Sequence, residues 1–309
     1  MSASSTAATP RLGVALGGGS ARGWAHIGVL SALEEEGIGA DIVCGTSIGA
    51  LVGGIYAAGK LDALAEWVGS LTRREVFGLV DLAVGGGGMI SGRRLMELYR
   101  QHLGDVAIEQ LPKRFAAVAT DLRTGAEVWL QEGSLLAAVR ASISIPGLFT
   151  PVLRGGRWLV DGALVNPVPV NLCRALGAEL VIAVDLLGPG TGAHVPTPSD
   201  SPAVVRGGSG WRAFSRRFSR GPSEAAEPAE PAPPGMNAVI ATSLDIMQAR
   251  ISRSRLAGDP PDLLLAPRVR QLSPLEFADG QPTIDEGYDV VRRMLPALRD
   301  LLDMDAPTK

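Results

Sequence analysis

Histidine is scarce in this chain: 309 residues hold three, His26, His102 and His194. His102 ends a predicted helix and His194 lies in a Gly/Pro-rich segment, so neither is placed as the base of a Ser-Asp-His hydrolase would be. His26 falls on a predicted helix after a glycine-rich loop, and packing or a hydrogen bond to that loop is its expected role. Cysteine is scarcer still. Cys44 and Cys173 sit in apolar contexts, which excludes a disulfide framework and fits reduced, buried thiols of a cytosolic protein. Paired His/Cys/Asp ligand spacing and calcium-loop spacing are both missing, so neither a metal nor a cofactor is expected. An excess of one charge is missing too: 29 Lys and Arg face 32 Asp and Glu, for a net charge of -3. Nothing there argues for bulk nucleic-acid binding. Residues 1–10 are rich in Ser, Ala and Thr and lack an apolar core. They are expected to be disordered rather than a secretory signal. Residues 42–59 carry no charge, but Gly45, Gly49, Gly53 and the pair Thr46-Ser47 divide them into a strand and a short helix rather than a membrane span.

Apolar residues make up 46% of the chain and glycines number 39. That composition fits one sizeable α/β domain with many tight turns. Strands are expected at 12–16, 41–45, 114–120, 126–131, 157–160, 179–185 and 262–266. Helices are expected at 25–36, 48–58, 61–70, 92–102, 133–142, 170–176, 237–256 and 284–302. Their alternation predicts a mainly parallel sheet covered on both faces.

Three segments carry chemistry. Gly45-Thr46-Ser47-Ile48-Gly49 is a G-x-S-x-G pentapeptide between an apolar β-branched run and a small-residue helix. Strand, sharp turn and helix form the context of a nucleophile elbow, which lifts the serine hydroxyl above the sheet edge. A buried turn needing only small residues would look the same. Gly17-Gly18-Gly19-Ser20-Ala21-Arg22-Gly23 follows the first predicted strand. Such a loop cradles an anion at a helix start. A P-loop is excluded because Trp24-Ala25 replaces Lys-Ser/Thr, and the dinucleotide fingerprint fails at Arg22. An oxyanion hole needs only backbone N–H groups and room. Asp161-Gly162-Ala163 ends the predicted strand at 157–160, which puts an acid at a sheet end where α/β active sites lie. A turn-capping aspartate is the plainer alternative.

These segments, in this order, resemble the patatin-like phospholipase family. The loop Gly17 to Gly23, with His26-Ile27-Gly28-Val29-Leu30 after it, matches the family's G-G-G-x-x-R-G. Gly45 to Gly49 matches its elbow. Ala141-Ser142-Ile143-Ser144-Ile145-Pro146 matches its A-S-x-x-x-P segment, and Asp161-Gly162-Ala163 its D-G-[A/G]. The match covers roughly 11–187, and short bacterial members related to neuropathy-target-esterase catalytic domains are the most similar. The resemblance implies a three-layer α/β/α fold with a mainly parallel central sheet. It implies a Ser-Asp dyad, with Ser47 as nucleophile and Asp161 as base. The loop Gly17, Gly18, Gly19, Ser20, Ala21, Arg22 and Gly23 would form the oxyanion site, and Gly45, Thr46, Ile48 and Gly49 the elbow. The implied activity is hydrolysis of phospholipid or lysophospholipid acyl esters. Acyl transfer, thioester cleavage or lipid binding without turnover could use the same fold.

Residues 188–235 depart from that pattern. They are rich in Gly, Pro, Ser and Ala, and an insertion without fixed structure is expected there. Within it Trp211, Phe214 and Phe218 share one helical face with Arg212, Arg216, Arg217 and Arg220 nearby. Peripheral contact with an anionic membrane at the inner face is one expectation, and docking on the chain's own domain the other. Residues 236–309 are expected to complete the same domain. A glycine run at 85–88 reads as a loop near the site, either a cover or plain connection.

Overall fold

The structure is a computed structural model that describes residues 10–79, 81, 87–188, 235–269, 272, 276–278 and 280–303. The basic aromatic segment at 211–220, His194, residues 1–9 and Gly85 and Gly86 of the glycine run lie outside the described residues.

Near-continuous apolar runs make the central strands. Among them are β1 (Leu12–Leu16) and β2 (Ile42–Thr46), every residue of which is buried. Such runs, rather than alternating ones, suit strands covered on both faces. Between these two strands runs α1 (Ala25–Glu35), and after β2 comes α2 (Ile48–Ala57). Then follow α3 (Leu61–Ser70), α4 (Arg73–Gly78), β3 (Gly88–Ile90) and α5 (Arg93–Leu103). Next are β4 (Arg114–Asp121), β5 (Glu127–Leu130), α6 (Leu135–Ser142), β6 (Gly147–Phe149), β7 (Val152–Arg154) and β8 (Arg157–Asp161). The chain ends with α7 (Val170–Ala175), β9 (Leu180–Val184), α8 (Met236–Gly258), β10 (Leu263–Leu265) and α9 (Gln281–Leu301).

The main sheet has the order β10-β9-β1-β2-β4-β8-β7, with β5 also on β4. The strands β10, β9, β1, β2 and β4 run parallel, while β5, β8 and β7 add antiparallel pairs. One apolar cluster packs α1, α2, α3, α6 and α9 on one face. A second packs α7 and the end of α8 on the other. This is the three-layer α/β/α fold expected from the sequence.

Boundaries moved by a few residues, and four short elements went unforeseen: α4, β3, β6 and β7. The glycine run also needs correcting, because Gly88 is a strand residue paired with Gly147. The helix α9 begins at Gln281 rather than 284, since Pro282 fits a first turn whose amides need no partner.

The helices α1 and α9 cross with their backbones touching. A Cβ on Gly28 would lie 1.9 Å from the Ile284 carbonyl oxygen, and one on Gly287 would lie 2.0 Å from that of Ala25. Alanine normally stabilises a helix interior by about 1 kcal/mol over glycine. At Gly28 the sign should reverse. Gly28→Ala is expected to cost about 1–3 kcal/mol, as overpacked cores do. A lower urea midpoint at unchanged m-value checks it.

Candidate active site

Strand β4 aligns the site. Its residue Val118 pairs with Thr46 at the end of β2, and its next residue Ala119 pairs with Asp161 at the end of β8. On the other edge β5 pairs with 117–120 of β4, so β2 and β8 share one edge and meet end to end. Ser47, one residue past β2, therefore faces Asp161. The Ser47 Oγ–H donates to Asp161 Oδ2 at 2.6 Å.

The elbow holds Ser47 in an unusual backbone conformation, φ 56° and ψ -124°. Few non-glycine residues adopt it, and it stores strain. Close packing fixes the turn. A Cβ on Gly45 would lie 2.3 Å from the Gly49 carbonyl oxygen, and one on Gly49 would lie 2.2 Å from that of Leu16. The Ser47 amide donates to Ser142 Oγ at 2.9 Å, and Ser142 Oγ–H donates to the Val118 carbonyl at 2.6 Å. Thr46 Oγ1 donates to the Asn166 carbonyl at 2.8 Å.

Asp161 is 1% exposed. Its Oδ1 accepts the Ala163 amide at 2.8 Å, and its own amide donates to the Ser144 carbonyl at 2.9 Å. Burial pushes its carboxyl up to about 7, against the pull of the Ser47 and Ala163 hydrogen bonds. Among the described residues no arginine, lysine or histidine opposes that rise.

The glycine loop divides into two parts. The Gly17 amide extends the β1–β9 ladder to the Val184 carbonyl, and the Gly18 amide donates to the Pro167 carbonyl, both at 3.0 Å. These two N–H groups hold the loop and do not point free, contrary to the sequence expectation for the whole segment. The amides of Gly19 and Ser20 have no backbone acceptor among the described residues. Gly18 lies directly against the Ser47 side chain, and Ser20 and Ser47 border one cavity. Arg22 also departs from expectation. Its guanidinium is turned to Asp245 Oδ2 at 3.3 Å and to the Leu272 carbonyl at 3.1 Å. It anchors α8 instead of facing the serine.

His26 is fully buried, with Nε2 2.7 Å from the Gly17 carbonyl oxygen. Burial lowers its pKa to about 4, only partly offset by that hydrogen bond. It is neutral at pH 7, so Nε2–H donates and steadies the loop, as the sequence suggested. Cys44 and Cys173 are free and buried.

The cavity beside Ser47 measures about 510 Å³. Its walls are apolar, among them Trp24, Leu51, Trp67, Ile145, Phe149 and Phe277. Arg140, which sequence reasoning missed, and Ser144, which it quoted without a role, hold one wall. Arg140 Nη2 donates to the carbonyls of Ser91 at 2.7 Å and Thr150 at 2.9 Å, and Nη1 donates to Ser144 Oγ at 2.6 Å. Ser144 in turn carries the Asp161 amide. An arginine inside the otherwise apolar run 135–142 was the available signal. Among the described residues no cluster of His, Cys, Asp or Glu could hold a metal ion. No described helix is long and apolar enough to cross a membrane.

The patatin-like phospholipase family model matches residues 14–174, a span that contains the glycine loop, Ser47 and Asp161. The chain belongs to that family. It is 36% identical to an uncharacterised NTE family protein of Mycobacterium tuberculosis over 94% of this chain and 92% of the relative. It is also 36% identical to the neuropathy target esterase of Drosophila melanogaster, over 57% of this chain and 13% of that protein. A patatin-like phospholipase domain-containing protein of Caenorhabditis elegans is 40% identical over 57% of this chain and 13% of its own length. Family membership supports a lipid hydrolase as the class of activity.

Proposed function

We propose that the chain hydrolyses acyl esters of phospholipids or lysophospholipids through a Ser47–Asp161 dyad. The observation that carries this reading is the 2.6 Å hydrogen bond from Ser47 to Asp161 at the wall of an apolar cavity. The cavity suits an acyl chain. Ionised Asp161 takes the Ser47 proton as Oγ attacks the ester carbonyl. The amides of Gly19 and Ser20 receive the oxyanion, and a donor of this kind is typically worth about 2.7–4 kcal/mol. Protonated Asp161 then gives its proton to the leaving alcohol. Water then attacks the acyl-enzyme and gives a proton to Asp161, which passes it to Ser47 Oγ as the acyl bond breaks and the fatty acid leaves.

An ordinary aspartate is too weak a base for this at neutral pH, and burial corrects that by bringing the carboxyl to about 7. The base must be ionised to act. The value of kcat/KM should therefore rise with pH along a limb whose apparent pKa is near 7. A long-chain acyl ester assayed from pH 5 to 9 (about two units either side) reads it. A flat profile down to pH 5 would count against Asp161 as the base. Labelling by a fluorophosphonate and release of fatty acid from a lysophospholipid test the hydrolase reading itself. Failure of both in folded protein would end it.

A further inference from the structure

Helix α8 runs back against the parallel strands. Its residue Ser252 donates to Asp185 Oδ2 at 3.2 Å, just past the end of β9. Arg255 pairs with Glu127, and Asp245 pairs with Arg22 in the loop that follows β1. Met236 lies nine residues before Asp245, so at 1.5 Å per residue about 13 Å of helix continues past the glycine loop. That end of the sheet is the end that carries Ser47.

This projecting half is apolar on its outer side, and no described residue covers it. Met236, Val239, Ile240, Ile246 and Met247 are all exposed, Met236 to 78%. They are spaced by three, four and seven residues, so they form one stripe. Residues 236–244 contain no charge. The single acid of the helix, Asp245, is turned inward onto Arg22. The exposed cations Arg250 and Arg253 come next, Arg253 near enough to Asp185 to favour its anion. The outer face thus combines large apolar side chains with positive charge and offers no acid. A second copy packed on it would bring no countercharge, whereas lipid phosphates would. Apolar stripe plus cations is the composition of a helix that lies in an anionic bilayer surface.

We propose that the outer face of the N-terminal half of α8 docks the protein on an anionic phospholipid bilayer. Docking goes beyond the proposed hydrolysis, because adsorption needs no turnover. A chain that binds vesicles yet releases no fatty acid would sink the hydrolase reading and leave docking standing.

Sedimentation of the full chain with large vesicles tests it. Vesicles of phosphatidylcholine mixed with phosphatidylglycerol are compared with phosphatidylcholine alone, at low and high salt. Wild type should bind the mixed vesicles better, and salt should weaken that preference. The double variant Ile240→Glu with Ile246→Glu should lower partitioning by about tenfold or more. An unchanged melting temperature checks its fold. Ser243→Trp adds an interfacial anchor on the same stripe and should raise partitioning. Wild type that ignores both vesicles overturns the proposal, and so do variants that partition like wild type. Ultracentrifugation showing that the stripe closes a dimer, with the double variant monomeric and equally able to bind vesicles, overturns it as well.

Discussion

Ser47→Ala is expected to lower acyl-ester hydrolysis by about 10⁴-fold or more and to abolish fluorophosphonate labelling. Losing a nucleophile removes the covalent path, and what remains is the smaller contribution of binding and oxyanion contacts. Loss of activity alone would not separate a nucleophile from a structural serine, so stability supplies the second readout. Ser47 sits at φ 56° and ψ -124°, where any Cβ is strained at a cost of about 1–3 kcal/mol. Alanine keeps the Cβ and the strain. Glycine removes both. Ser47→Gly should therefore be more stable than Ser47→Ala by about 1–3 kcal/mol, although glycine is ordinarily the less stable of the two. Both variants lose the same hydrogen bond to Asp161, so the difference isolates the backbone. Urea midpoints for the two variants measure it. If Ser47→Gly proves the weaker, the elbow is not strained in the way its dihedral angles indicate.

Much of this was legible in the sequence for definite reasons. The strands β1, β2, β4 and β9 are apolar runs with few other readings. The elbow, the glycine loop and Asp161 are local motifs at strand ends. What brings Ser47 and Asp161 together is not local. It depends on β4 pairing with β2 up to Val118 and with β8 from Ala119 onward, a register that no segment encodes by itself. The walls of the cavity were missed for a related reason. Strands of three residues such as β6 are too short to show a period, and Gly88–Ile90 becomes a strand only through Gly147–Phe149. Helix α4 had a readable start, since Thr72 and Glu75 form a capping box. Six residues with an uneven apolar pattern hid it. The fates of the Gly17 and Gly18 amides depend on Val184 and Pro167, far along the chain, so the motif overstated how many donors face the serine.

Asp161→Asn should trade activity for stability, and pH should reveal the trade. The carboxyl titrates at about 7 in the folded chain because burial opposes its charge. In the unfolded chain it titrates near ~3.9. Between those values the folded state holds more protons than the unfolded one. Stability from this group is thus full below about pH 4 and is lost as pH rises toward 7. The gap between the two values corresponds to a loss on the order of 4 kcal/mol at pH 8. Asparagine carries no charge, yet it can accept the Ala163 amide and donate to Ser47 Oγ. The variant should match wild type near pH 4 and exceed it increasingly up to pH 8, where the difference should be several kcal/mol. Its activity should fall by about 10³-fold, because asparagine cannot take the serine proton. The structural alternative, an aspartate that merely caps the turn at Ala163, gives the opposite pattern. A capping carboxylate that is stabilised as an anion would make Asp161→Asn less stable at pH 8 and leave hydrolysis nearly intact. Denaturation at pH 4 and pH 8, set beside kcat/KM at pH 8, therefore distinguishes a buried base from a cap, because the stability change at pH 8 has opposite signs for the two roles and only the base requires activity to fall.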